Sequence, residues 1–79
     1  MSMIDTSLIR YNPLDWYWQA DDGRVYSSRQ NKLVYIYDSG FVAFKAKVSP
    51  SRWPVDSNGK QTTASLQSVL TPYGIVLNL

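Results

Sequence analysis

The side chains that most often do chemistry are missing from this sequence. It contains no histidine, no cysteine and no glutamate. Histidine is the usual general base and metal ligand near neutral pH, so its absence removes the simplest acid–base designs. What remains is six aspartates with tyrosine and lysine. Asp21 and Asp22 are adjacent, so in an extended segment they point to opposite sides. Next to Gly23 they read as a turn and not as a metal site. Asp15 and Asp38 have no partner at a useful spacing. A nucleophile needs a neighbouring base and an orienting group, and no spacing here supplies them. The four glycines are isolated, so no phosphate-cradling loop is present. The residues therefore nominate no catalytic, cofactor-binding or metal-binding set, and the expectation is a protein that is not an enzyme and carries no cofactor.

The residues that could recognise another molecule are aromatic. Three groups stand out, and each has a plain structural alternative. In Trp16-Tyr17-Trp18 the tryptophans alternate with Tyr17. They are either core residues flanking a surface tyrosine or an aromatic platform able to stack a partner. Tyr26, Tyr35 and Tyr37 make either cross-strand packing or an exposed tyrosine patch of the kind enriched at interfaces. In Arg52-Trp53-Pro54 the tryptophan is either a loop plug over one end of the core or an interface hot spot beside Arg52. Arg52 has the further option of neutralising Asp38 or Asp56. The candidate partner-binding residues are thus Tyr17, Tyr26, Tyr35, Tyr37, Arg52 and Trp53.

These side chains need a scaffold, and the chain is short. At 79 residues it is one domain. A domain of this size buries only about 60–65% of the surface exposed by its unfolded chain. Its core contributes only ~3–5 kcal/mol, and without cysteine no disulfide can add to that. Hydrophobic residues are 44% of the chain, enough to argue against wholesale disorder. Aromatics are 14% of it, which is more ring surface than so small an interior can hide. The surplus must face a partner or a neighbouring subunit.

Residues 1–13 show no clear period and end at Pro13. They read as an N-terminal arm, from which Ile4, Leu8 and Ile9 are able to dock on the core. From Leu14 to Leu79 the chain reads as a single small α+β domain. Asp15–Ala20 alternates, with Trp16, Trp18 and Ala20 on one face. Asp21-Asp22-Gly23 is a hairpin turn, and Arg24–Ser28 is the returning strand. Ser28–Asn31 is a second turn. Lys32–Tyr37 is a third strand, apolar on both faces, so that both faces are expected to meet something.

Residues 40–48 fit two patterns. Phe41, Phe44 and Val48 have helical spacing behind an N-cap at Asp38 or Ser39, but the stretch also alternates like a strand. Ser49–Gln61 is a long polar connection with a turn at Asn58-Gly59. Thr62 or Thr63 caps a second helix carrying Ala64, Leu66, Val69 and Leu70, which ends near Thr71-Pro72. Gly74 then releases an apolar tail that is free to pair as an extra C-terminal edge strand or to dock on the sheet.

Net charge is +2 and the eight basic residues are spread along the chain. A nucleic-acid binder concentrates them on one face, so nucleic acid is not the expected partner. No segment approaches the roughly 20 apolar residues of a membrane span. The N-terminus lacks a signal-peptide pattern, so a cytosolic setting is expected.

Taken together, several segments resemble a known group. The strand with Trp16-Tyr17-Trp18 is followed by Val25-Tyr26-Ser27-Ser28, then by Asp38, Phe41 and Phe44. Arg52-Trp53-Pro54 comes next, and Leu66-Gln67-Ser68-Val69-Leu70-Thr71-Pro72-Tyr73-Gly74 closes the set. This order is similar to short phage and prophage accessory proteins encoded near tail-fibre genes, over about residues 15–74. The group carries an aromatic-bearing helix where this chain has Phe41 and Phe44, which favours helix there. Tyr35-Ile36-Tyr37 departs from the group and keeps a fourth strand open. The resemblance implies a tail-fibre assembly factor or minor tail component, located in the host bacterial cytoplasm or the virion. It transfers no active-site residue. Small phage proteins also include inhibitors that occlude a host defence complex, such as anti-CRISPR proteins, and that alternative stands beside the first.

The expected architecture is therefore α+β: a three-stranded antiparallel meander packed against helices near 40–47 and 63–71. Its expected core is Trp16, Trp18, Val25, Leu33, Phe41, Phe44, Leu66, Val69 and Leu70. The expected partner is another protein, a tail-fibre or host protein, and the surplus rings also make a homo-oligomer a candidate.

Overall fold

The computed structural model describes residues 10–78. Along the chain run β1 (Tyr17–Gln19), β2 (Val25–Ser27), β3 (Lys32–Val34), α1 (Ser39–Lys45), β4 (Ser51–Arg52) and α2 (Thr63–Leu70). A short 3-10 turn at Thr71–Tyr73 follows α2. This is an α+β fold. β1, β2 and β3 form the expected antiparallel meander, with Trp18 opposite Tyr26 and Tyr26 opposite Leu33. β4 joins the other side of β1 in parallel, giving a mixed sheet of order β3-β2-β1-β4.

The local chemistry accounts for most boundaries. Gly23 takes φ 97°, which closes the first hairpin where a Cβ would be strained. Asn31 closes the second turn at φ 53°, a region asparagine tolerates better than most residues. Asp38 caps α1 by accepting a hydrogen bond from the Phe41 amide at 3.0 Å. Thr62 and Ser65 form a reciprocal capping box on α2. Residues 40–48 are therefore helical over most of their length, as Phe41 and Phe44 suggested.

Alternation along the strands divides the rings between two layers. On one face Trp16, Trp18, Ala20 and Tyr26 pack with Trp53, Leu66 and Leu70, beneath α2. On the other face Tyr17 meets α1, its ring centroid 5.2 Å from Phe41 and 4.9 Å from Phe44. Phe44 also reaches Trp16 edge-on at 4.8 Å, so α1 closes the start of β1 as well. Both faces of β2 are covered, and all three of its residues are buried.

Three expectations are corrected. Leu33 is 43% exposed and Val69 is exposed as well, so neither belongs to the core. The third strand stops at Val34, three residues short of Tyr37, because the Asp38 amide folds back to the Tyr35 carbonyl at 2.8 Å and turns the chain into α1. The added edge strand is β4 and not the C-terminal tail: Ile75 and Leu77 pack on the core without entering the sheet. Leu79 lies outside the described residues. So do Ile4, Leu8 and Ile9 of the arm, whereas Tyr11 meets Trp16 edge-on at 5.1 Å.

Candidate functional site

The six candidate partner-binding residues separate into buried and exposed groups. Tyr26 is wholly buried, and its hydroxyl is paired with Asn31 Oδ1 at 2.8 Å. Burial raises its phenol above the ordinary value of 10.0. Trp53 is also buried, at 1% exposure. Its indole N–H donates to the Thr62 carbonyl at 2.8 Å, and the Arg24 guanidinium lies 4.5 Å over its ring. Neither ring is exposed at the surface of this fold. The packing reading of Tyr26 and the loop-plug reading of Trp53 describe what the fold does with them.

Tyr17 is intermediate. Its ring is held between Phe41 and Phe44, and a Cβ built on Gly40 would come within 2.8 Å of its hydroxyl. That close approach explains a glycine in the first turn of a short helix. The Tyr17 phenol is raised above 10.0, first by burial and then by the nearby Asp38 and Asp15 charges. Arg52 is exposed, yet it is tied to Asp21 by two contacts, the shorter 2.7 Å. Its partner is therefore neither Asp38 nor Asp56. The pairing holds the Asp21 carboxyl below its ordinary 3.8. Asp22 is lowered in the same way by Arg24, at 2.8 Å. Asp21 and Asp22 thus flank the first hairpin turn as two separate ion pairs, which agrees with their reading as turn residues.

Tyr35 and Tyr37 are different. They are 86% and 84% exposed. The turn that ends β3 puts them there: the Tyr35 carbonyl accepts from the Asp38 amide, Asp38 caps α1, and the rings are left outside both layers. Between them Ile36 is 42% exposed, and Leu33 opens onto the same surface. A groove of about 630 Å³ runs from the first hairpin turn at Asp22, Gly23 and Arg24 along Val34, Tyr35 and Ile36. Tyr35 and Tyr37 are thus the two members of the aromatic set left free to meet a partner.

No family model, curated protein or solved structure matches this chain.

The exposed surface at Leu33, Tyr35, Ile36 and Tyr37 is aromatic and aliphatic. Among the described residues no group of three metal-ligating side chains forms, and the four hairpin-turn charges are already paired. Among the described residues no helix is long and apolar enough to cross a membrane. Reading the sequence alone missed Leu33 and Ile36 as surface residues. The signal was present: Lys32–Tyr37 is apolar on both faces, and one face had no partner in the chain.

Proposed function

We propose that this chain is a binding protein without catalytic activity, and that it docks another protein through the surface built by Tyr35, Ile36 and Tyr37. The observation that carries this reading is the near-complete exposure of two neighbouring tyrosines, 86% and 84%, in a chain whose other large rings are mostly packed. Exposed tyrosines beside aliphatic side chains are typical of protein interfaces. A protein partner is favoured over nucleic acid because Arg24 and Arg52 are neutralised by Asp22 and Asp21. The motifs Trp16-Tyr17-Trp18, Val25-Tyr26-Ser27-Ser28 and Leu70-Thr71-Pro72-Tyr73-Gly74 support a phage accessory role, as a tail-fibre assembly factor or minor tail component.

The test is co-purification with the fibre protein of a neighbouring gene. A stable complex is expected from the wild-type chain, and none from a Tyr35→Ala/Tyr37→Ala variant that still folds. Recovery of a host defence complex instead, with the fibre protein absent, would move the assignment to the inhibitor alternative. A complex indifferent to both tyrosines would remove this surface from the account.

A further inference from the structure

β3 is an outer strand of the sheet, and its pairing leaves one residue facing outward. The Ala20 amide donates to the Arg24 carbonyl and the Ser28 amide to the Trp16 carbonyl, at 2.8 and 3.0 Å. In an antiparallel ladder hydrogen-bonded pairs alternate with non-bonded ones. Trp18 and Tyr26 are therefore a bonded pair, so the backbone of Tyr26 points to β1. Val25 and Ser27 point the other way, to Val34 and Lys32. Leu33, opposite Tyr26, then directs its N–H and C=O away from β2 to the open edge. Neither group takes part in a turn, loop or tail hydrogen bond among the described residues.

We infer that this edge accepts an extended segment of the partner protein as a fifth strand, paired through the Leu33 backbone beside Tyr35 and Ile36. The inference rests on the protein-binding reading above and adds the chemistry of the partner. Strand addition draws affinity from main-chain hydrogen bonds and specificity from alternate side chains. The groove along Val34 and Ile36 takes apolar side chains. Lys32 has only the uncharged Ser27 across from it in the sheet. An acidic residue on the incoming strand completes that row, since opposite charges across strands are favourable. The segment is therefore extended, alternately apolar, and acidic opposite Lys32. A second copy of this chain fits less well. A two-fold pairing centred on Leu33 would put Lys32 of both copies on one face, diagonally across the joint, where like charges repel.

The test is selection of a displayed random dodecapeptide library on the purified full chain. Enriched peptides are expected to alternate apolar and polar residues and to carry an acidic one. Leu33→Ala keeps the outward N–H and removes only the side chain that lines the groove, so it is the reference for the proline variant. Leu33→Pro removes that N–H without touching the bonds to β2, because an edge position facing solvent tolerates proline. It should weaken binding by about tenfold or more. Lys32→Glu should turn the preference toward basic peptides. If Leu33→Pro fails to fold, hydrogen exchange at the Leu33 amide of the wild-type chain decides: slowed in the complex supports strand addition, unchanged refutes it.

Full-strength binding to Leu33→Pro with loss on Tyr35→Ala would overturn strand addition and leave the tyrosine interface standing. No enriched peptide alongside an intact fibre-protein complex would do the same. Failure of both would remove the two readings together. A wild-type dimer dissolved by Leu33→Pro would give the edge to a second copy and overturn the choice of occupant.

Discussion

The fate of each ring is decided by what its polar atom can reach. The Trp53 indole N–H finds the Thr62 carbonyl, Tyr26 finds Asn31, and Trp16 gives its indole N–H to Ser51 Oγ at 2.9 Å. Each is therefore able to sit in an apolar interior at little cost. Trp53→Ala should remove about 3–5 kcal/mol, which is comparable to the ~3–5 kcal/mol that a core of this size contributes. The variant should be unfolded by circular dichroism at room temperature. Trp53→Phe should fold but melt earlier, because it removes the indole hydrogen bond to the Thr62 carbonyl, worth about 0.5–1.5 kcal/mol, while that carbonyl keeps its bonds from the Leu66 amide and the Ser65 hydroxyl. Tyr35→Ala and Tyr37→Ala should each leave stability within about 0.5 kcal/mol, since neither ring is packed. Denaturant titration of the four variants checks the contrast.

At the scale of the element, caps and turns were legible and strand ends were not. Thr62 and Asp38 act on amides three residues away, and Gly23 and Asn31 act through their own backbone angles, so their chemistry can be read locally. Asp38→Ala should cost about 1 kcal/mol by removing the α1 cap, and hydrogen exchange should show the Phe41 amide opening first. β4 was not legible. It is two residues long and exists because Trp53 is seated: the Trp53 amide donates to the Gln19 carbonyl at 2.9 Å, and Gln61 ties the Trp53 carbonyl at 2.7 Å. The long connection after α1 is pinned by that ring, so its order depends on tertiary contacts that spacing does not encode.

The third strand misled for a related reason. Tyr35-Ile36-Tyr37 has strand-favouring residues, but the helix cap at Asp38 competes for the same backbone and wins. Leu33 and Val69 looked like core because apolar type and period match core positions. Their exposure reflects which faces the other elements happen to cover.

At the scale of the molecule, two helices cover opposite faces of a small sheet, and the sheet's β3 margin is left with unpacked rings. The α+β class followed from the sequence. Which tyrosines stay outside did not, because Tyr26 and Tyr35 are alike in type: Tyr26 lies in β2 between two other strands, and Tyr35 lies just past the end of β3.

Three phenols also set a pH dependence. Tyr11, Tyr17 and Tyr26 are each raised above 10.0, burial being the leading cause. A raised phenol pKa means that the fold favours the neutral form. That contribution is complete below pH 10 and is lost as pH rises through the raised values. The thermal midpoint should hold from neutral pH toward 10 and fall above it. On the acid side Asp21 and Asp22 are lowered below 3.8, so their contribution is present above that pH and fades below it. Both are exposed, so that limb should be shallow. Calorimetry across the alkaline range checks the sign.

Tyr35 and Tyr37 are proposed to meet a protein partner. The most direct measurement is the affinity of the neighbouring fibre protein for the wild-type chain and for Tyr35→Ala/Tyr37→Ala, with both melting points recorded. Two hot-spot rings predict a loss of about thirtyfold or more at an unchanged melting point. Equal affinity for the two proteins, both folded, would show that the partner does not bind through these tyrosines.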